Sequence, residues 1–222
     1  MDTTTTHAVR RAALIGMVGA SLTAASGAIV QFVVQPSTTV SDKTWSYPWS
    51  SSALIAVSII WASLHVLVAI GLIGLRSSRV TGSTGAGRWG LSLAIAGTVA
   101  LFVGELASIG IRHARTDDGS AIAVGMIFAA GILLNAIGFL AAGAATLRAE
   151  RWDGWRRYTP LMTGIWSIVL LSLNATKALP TGVGIYGVCL VAVFYALLTT
   201  PATQPVESVR APQRVVVDGR QS

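Results

Sequence analysis

Five polar residues lie inside long apolar segments of the sequence. Their side chains are the ones whose types and positions could take part in binding or in proton transfer. Glu105 is surrounded by apolar residues in the stretch ALFVGELASIG. His65 and Asn135 occupy central positions of two other apolar runs, and Asn174 and Lys177 lie at the end of a further run. A carboxylate and an imidazole at membrane depth are groups that proton-coupled transport uses, because each can change its charge near physiological pH.

Helical spacing indicates which of these residues share a face. Thr98, Glu105 and Ser108 are seven and three residues apart, which places them on one side of a helix. Ser58 and His65, seven residues apart, share a face of another helix in the same way. Polar faces of this kind turn toward a bundle interior or a water-filled cavity rather than toward lipid.

Depth in the membrane separates the five residues into three levels. At 1.5 Å of rise per residue, His65 and Asn135 lie near the midplane and Glu105 and Asn174 about 7–9 Å further out. Lys177 at the rim is the predicted ion-pair partner of Glu105. Two interpretations stay open: a polar pocket open to the outside around Glu105, or an ion pair and interhelical hydrogen bonds that only hold helices together.

The composition explains why a membrane is the setting. The chain has 222 residues, of which 53% are hydrophobic and 11% charged, whereas soluble domains carry about 25% charged residues. The net charge of +7 resides in the short segments between apolar runs, which is typical of membrane topology and gives no reason to expect a nucleic-acid partner. The single cysteine, Cys189, excludes an internal disulfide and a CxxC redox pair.

The apolar runs predict an all-α, polytopic transmembrane bundle of six helices. Each run approaches the roughly 20 residues that a spanning helix needs. The domains expected are a cytoplasmic N-terminal segment (1–11), a six-span transmembrane domain (12–199) and a disordered cytoplasmic tail (200–222). The predicted spans are Ala12–Val34, Ala53–Leu75, Trp89–Ile111, Ala121–Leu147, Tyr158–Lys177 and Thr181–Thr199.

The basic residues predict the orientation. All but four of the sixteen fall on the side of the N-terminus, the four exceptions being Lys43, Arg112, Arg115 and Lys177. The excess of basic residues marks the cytoplasmic side, so both termini are expected on the cytoplasmic side of a bacterial inner membrane. A cleavable or twin-arginine signal is the alternative for the first helix, but its apolar run is longer than such signals use.

A duplicated helical hairpin is a further hypothesis. The segments SALIAVSIIWA and SAIAVGMIFAA are similar, and each leads to the tripeptide AIG and then an arginine. The offset of about 67 residues suits a unit of two helices. Helices two and three would then be a parallel copy of helices four and five.

Aromatic and basic residues in two connections are predicted to contact the membrane interface. The segment WSYPW is expected to anchor at headgroup depth, and its alternative role is an outward lid over the polar pocket. The segment RAERWDGWRRY suits an ordinary positive cytoplasmic loop, and its alternative role is contact with anionic lipid. The lipid-interface candidates are Trp45, Tyr47, Trp49, Trp152, Trp155, Arg156 and Arg157.

The motifs of enzymes and cofactor sites are missing from the sequence. It contains no HExxH, GxSxG or Walker A pattern, and one deep histidine does not supply the paired ligands of a membrane haem. His113 with Asp117 and Asp118 form the nearest approach to a metal-binding cluster, but their balanced charges indicate a solvated turn. We therefore expect no catalytic residue, metal or cofactor.

The function predicted is that of a small transporter or channel-like protein with an outward-facing pocket around Glu105. The alternative is a non-catalytic membrane interaction protein, a subunit or scaffold whose buried polar residues only join helices. The partners expected are membrane lipids, a small solute or proton, and a protein partner or a second copy of the chain.

Overall fold

The computed structural model describes residues 3–82, 85–174 and 176–200. Within these ranges the chain forms six main α-helices and no β-strand, with one isolated β-bridge between Thr44 and Arg115. The predicted all-α helical bundle is confirmed. The helices are α1 (Thr3–Ile29), α2 (Ser51–Ser77), α3 (Gly85–Gly110), α4 (Gly119–Ala149), α5 (Thr159–Leu173) and α6 (Leu179–Leu198).

Local chemistry accounts for several helix starts. The Ser50 hydroxyl accepts a hydrogen bond from the Ala53 N–H at 3.2 Å and caps α2. Pro160 and Pro180 stand in the first turns of α5 and α6, where a missing N–H removes no helical hydrogen bond. Polar caps and prolines therefore set the points at which these apolar runs become helical.

Five of the six helices are long and apolar enough to cross a membrane, the exception being α5. The 15 residues of α5 extend about 23 Å, short of the roughly 30 Å of hydrocarbon. The predicted fifth span, Tyr158–Lys177, is therefore wrong at its C-terminal end. The chain leaves α-helical geometry after Leu173, whose carbonyl accepts a turn hydrogen bond from the Thr176 N–H at 2.8 Å.

The helices form a closed ring. Each helix packs against the next one in the sequence, and α6 packs against α1 to complete the circle. Successive helices run in opposite directions, so that their connections alternate between the two ends of the ring. This arrangement leaves the space along the axis of the ring to be filled by side chains or to stay open.

Small residues allow α1 to approach its two neighbours closely. A Cβ atom added to Gly16 would lie 2.7 Å from the Gly71 Cα of α2 and 2.9 Å from the Phe194 ring of α6. Further along α1, a Cβ on Gly187 of α6 would lie 2.8 Å from the Ala24 Cα. Small residues recur at every fourth position of α1, namely Gly16, Ala20, Ala24 and Ala28, and the ring closes along this ridge.

The two ends of the ring differ in composition. At one end, called the basic end, the Arg151 side chain donates to the Arg79 carbonyl at 3.0 Å, and the Trp152 indole donates to the Thr200 hydroxyl at 2.7 Å. The N-terminal part of α1 lies at the same end, since Ala12 contacts Gly74. The other end, called the lid end, is formed by residues 38–50, 111–118, 174 and 176–178.

Two predictions about chain organisation are not decided by these helices. The hairpins of the proposed duplication have unequal lengths, with 27 and 26 residues in α2 and α3 but 31 and 15 in α4 and α5. The predicted disordered tail, residues 200–222, lies outside the described residues except for Thr200. Thr200 continues the helical turn by donating its hydroxyl hydrogen to the Ala196 carbonyl at 2.8 Å.

Candidate functional site

A cavity of about 560 Å³ occupies the centre of the ring toward the lid end. All six helices contribute side chains to its wall. The five residues singled out in the sequence all line it, namely His65, Glu105, Asn135, Asn174 and Lys177. The volume falls within the range of about 300–1,000 Å³ that small-molecule sites occupy.

Glu105 reaches the cavity because of its register on α3. Thr98, Leu101 and Glu105 recur on one face of that helix and all border the cavity. The buried hydroxyl of Ser58 on α2 is the polar group beside the Glu105 carboxyl, and its Oγ completes no hydrogen bond within the described part of the chain. Glu105 thus faces an open space rather than lipid.

The predicted ion pair between Glu105 and Lys177 is not formed. The Lys177 ammonium instead lies 3.1 Å from the Asp42 carboxylate at the mouth of the cavity. Because α5 ends at Leu173, Lys177 belongs to a turn at the lid end and no longer follows the helical face that would carry it inward. The neighbouring Asp42 raises the pKa of Lys177 through a hydrogen bond and charge attraction, which keeps this lysine protonated.

Asn135 of α4 joins three helices at the inner part of the cavity. Its Nδ2 donates to the Gly131 carbonyl at 3.0 Å, while its Oδ1 accepts from the Tyr186 hydroxyl of α6 at 3.0 Å. The Thr98 hydroxyl of α3 also lies 3.4 Å from that Oδ1. With only 1% of its surface exposed, Asn135 uses its polar groups to hold helices together, as the structural interpretation of this residue predicted.

His65 borders the cavity from α2, deeper than Ser58. The two residues are seven positions apart, which corresponds to about 10 Å along the helix axis. The ring is half-buried and, among the described residues, forms no hydrogen bond with another side chain or carbonyl. His65 therefore retains both ring nitrogens for a ligand or water in the cavity.

The segment WSYPW lies over the cavity. Trp45, Tyr47 and Trp49 are half-buried and line it, and the Trp45 ring lies 6.4 Å, between centroids, from the ring of Phe128 on α4. The position corresponds to the lid that the sequence offered as an alternative to an interfacial anchor. The three residues line the cavity, and Trp45 packs near Phe128, which a headgroup anchor would not require.

Hydrogen bonds hold this lid to the rest of the lid end. The Trp45 N–H donates to the Ala114 carbonyl at 2.9 Å, and the Thr116 N–H donates to the Lys43 carbonyl at 2.9 Å. The Ser51 hydroxyl donates to the Arg112 carbonyl at 3.2 Å. Residues 38–50 and 111–118 thus form one cover, to which the ion pair of Lys177 with Asp42 attaches the third connection.

The lipid-interface candidates at the basic end divide into exposed and buried residues. Trp152 is 2% exposed and donates to Thr200, so it fills the core rather than meeting lipid. Trp155 is half exposed and stacks on Tyr195, with 6.1 Å between ring centroids. Arg156 is half-buried, and its Nε has no hydrogen-bond partner in the described residues.

Arg157 is the other exposed candidate at that end. Its guanidinium lies 4.8 Å from the centre of the Tyr158 ring and donates to the Tyr158 hydroxyl at 2.7 Å. The pair places a positive charge beside an amphipathic ring, the combination that suits a headgroup region. Trp155 and Arg157 are thus the members of the predicted set whose positions allow contact with lipid.

The acidic residues near His113 are engaged by an arginine. Asp117 lies 2.9 Å from the Arg115 guanidinium, and Asp118 accepts from the Arg115 backbone N–H at 2.7 Å. Within the described ranges, no three histidine, cysteine or acidic side chains are grouped as metal ligands. The arrangement is a charged turn of the lid end.

Three cavity residues were not anticipated as site residues. Phe128 precedes Asn135 by seven residues on α4, so helical register alone would have brought it to the same wall. Tyr186 offers no comparable signal, because its role depends on α6 packing opposite α4. Asp42 belongs to a connection, whose position over the ring no periodicity predicts.

Comparisons with known proteins identify no relative. The chain matches no family model, no curated protein and no solved structure. Its function must therefore be inferred from the cavity.

Proposed function

We propose that this membrane protein binds a small solute in its central cavity and moves it, or a proton, across the membrane as a transporter or channel-like protein. The observation that carries the proposal is Glu105, a carboxylate that faces a cavity of about 560 Å³ without an ion-pair partner among the described residues. A charge costs about 2.5–3.5 kcal/mol at the centre of a spanning helix, which is an upper bound for Glu105, nearer the lid end of α3. Such a residue is expected to serve a ligand or proton when it serves no salt bridge.

In the proposed orientation, the protein lies in a bacterial inner membrane and its basic end faces the cytoplasm. The basic residues of the connections at that end favour it, and both termini of the ring lie there. The cavity is then open toward the outside, beneath the lid of residues 38–50. Retention of α1 as a permanent helix is part of the proposal, because α1 supplies two of the ring's helix contacts.

We propose further that the protein is not an enzyme. Among the described residues that line the cavity, no hydroxyl or thiol is hydrogen-bonded to His65. A nucleophile and a base within hydrogen-bond reach are the usual requirement for covalent catalysis. The cavity is better suited to holding a solute than to changing it.

Flux through reconstituted vesicles tests the proposal. Proton flux into pyranine-loaded vesicles and uptake of radiolabelled small solutes are measured for the full-length protein and for Glu105→Gln. We expect Glu105→Gln to reduce the flux at least tenfold, because the substitution preserves shape and removes the charge. Glu150→Gln is the matched control, since Glu150 is an exposed glutamate at the C-terminal end of α4, and it should transport as the unchanged protein does.

A membrane interaction protein is the second candidate, and Asn135 favours it. The hydrogen bonds of Asn135 to Tyr186 and Thr98 join α3, α4 and α6, as a purely structural role would require. This candidate predicts that Glu105→Gln alters thermal stability or binding of a partner, such as a second copy, and leaves flux unaffected. Unchanged flux in Glu105→Gln, at a protein level equal to that of the control, would reject the transport proposal.

A further inference from the structure

We infer that the cavity takes a hydrophobic organic cation, such as an amine or quaternary ammonium that carries an apolar group. This inference rests on the proposed function and specifies its solute. The observation behind it is the charge balance of the wall. Lys177 and Asp42 neutralise each other at the mouth, which leaves Glu105 as the acidic group of the cavity interior that no described lysine or arginine pairs with and that a bound cation would neutralise.

The aromatic residues extend the same argument. Rings from four separate elements border the cavity: Trp45, Tyr47 and Trp49 from the lid, Trp61 from α2, Phe128 from α4 and Tyr186 from α6. The face of an aromatic ring carries partial negative charge and attracts a cation within about 6 Å of its centre. A carboxylate together with several ring faces is the chemistry that recognises an organic cation.

The rest of the wall suits an apolar body attached to that cation. Leu54, Val57, Leu101 and Ile132 line the cavity among the polar residues already described. A small hydrated metal ion would gain nothing from these side chains. Calcium requires about six to eight oxygen ligands. Among the described residues, Glu105 belongs to no group of three or more histidine, cysteine or acidic side chains that could hold a metal ion.

An anionic solute would find no unpaired lysine or arginine among the described cavity residues, only neutral donors such as the Asn174 amide. The Lys177 ammonium is paired with Asp42. The Asn135 amide donates to Gly131, and the Tyr186 hydroxyl donates to Asn135. An anion would also approach the Glu105 carboxylate without a compensating charge, and like charges in a low-dielectric cavity repel strongly.

Calorimetric titration of the full-length protein in nanodiscs tests the inference. Benzyltrimethylammonium serves as the cationic probe, and neopentylbenzene is its uncharged isostere, with heats from empty nanodiscs subtracted. We expect the cation to bind at least tenfold more tightly than the isostere. Glu105→Gln should remove that preference, and Glu150→Gln should keep it.

A second variant separates recognition from folding. Phe128→Leu keeps an apolar side chain at the cavity wall and removes a ring face, so it should weaken the cation severalfold and leave the isostere unchanged. Circular dichroism and size-exclusion chromatography of each variant confirm that the fold is retained. Equal affinity for cation and isostere, or a cation affinity unchanged by Glu105→Gln, would overturn the inference.

The outcomes distinguish this inference from the function on which it rests. If a neutral or anionic solute is transported in a Glu105-dependent way while benzyltrimethylammonium does not bind, the solute class is wrong and the transport proposal stands. If no solute or proton is transported and neither probe binds, both proposals fail.

Discussion

Glu105 and Asn135 line the same cavity but use their polar groups in different ways. The Asn135 amide oxygen and nitrogen are both occupied by hydrogen bonds to other parts of the ring, so its contribution is to stability. The Glu105 carboxyl has the Ser58 side chain beside it and no ion pair among the described residues. A buried polar group that is satisfied indicates structure, whereas one that faces an open cavity unsatisfied indicates a ligand.

Replacement of Asn135 by leucine tests the structural half of this distinction. Asn135→Leu keeps the volume of the side chain and leaves the Tyr186 hydroxyl without its acceptor. Because hydrogen bonds between membrane helices contribute up to about 1–2 kcal/mol, we expect a loss of stability of that order in detergent. Thermal unfolding followed by circular dichroism measures it.

Asn174→Leu is the matched control for that experiment. Asn174 also borders the cavity, but its side chain makes no hydrogen bond to any described residue. The same amide-to-leucine change should therefore leave the unfolding temperature nearly unaltered. Equal effects at the two positions would show that the hydrogen bonds of Asn135 do not contribute specifically.

The residues of the site were partly predictable from the sequence. The positions of residues on a single helix were predictable, because the spacing of Thr98 and Glu105, or of Ser58 and His65, determines that they share a face. Contacts between residues on different elements were not predictable, because no helical period places Asp42 of the lid next to Lys177. The wrong pairing of Lys177 with Glu105 arose from assuming that α5 continues to Lys177.

Among the helices, α1 packs closely against both of its neighbours in the ring. Gly16 lies where α1, α2 and α6 meet, and a Cβ atom there would approach the Gly71 backbone and the Phe194 ring to within 2.7 and 2.9 Å. Ring closure therefore depends on the absence of side chains at this point. The sequence indicated this contact through the regular spacing of small residues.

Introduction of a methyl group at Gly16 tests that dependence. Gly16→Ala should destabilise the ring by about 1–3 kcal/mol, because extra volume in a close-packed contact forces the backbones apart. Gly125→Ala is the control: Gly125 lies within α4, and a Cβ atom there meets nothing within 4 Å. In detergent, Gly125→Ala should unfold at the original temperature or slightly above it, as helix propensity favours alanine.

The ends of helices were less predictable than their presence. Long apolar runs with polar connections define α1 to α4 and α6, whereas the segment from Leu173 to Pro180 mixes four apolar residues with Asn174, Thr176 and Lys177 and so does not mark where α5 ends. Its Asn174, Thr176 and Lys177 form turns in the structure, stabilised by a backbone hydrogen bond to Leu173 and by the contact with Asp42. Tertiary contacts therefore ended α5 earlier than hydropathy indicated.

In the molecule as a whole, the shortness of α5 has a consequence for topology. The proposal that both termini lie in the cytoplasm requires an even number of crossings, and so requires that α5 crosses despite its 15 residues. The 3₁₀ segment Gly154–Tyr158 before it and the turn after it lengthen the path between the two ends of the ring. Contact with α4 and α6 on either side shields α5 from part of the lipid.

Labelling with a membrane-impermeant maleimide decides whether α5 crosses. In a Cys189→Ala background, Asp153→Cys and Thr176→Cys place single thiols at exposed positions before and after α5. We expect Thr176→Cys to react in intact cells and Asp153→Cys to react only after permeabilisation, because the basic end is proposed to face the cytoplasm. Reaction of both thiols from the same side would mean that α5 re-enters without crossing, which would place the N-terminus and the C-terminal end of α6 on opposite sides of the membrane.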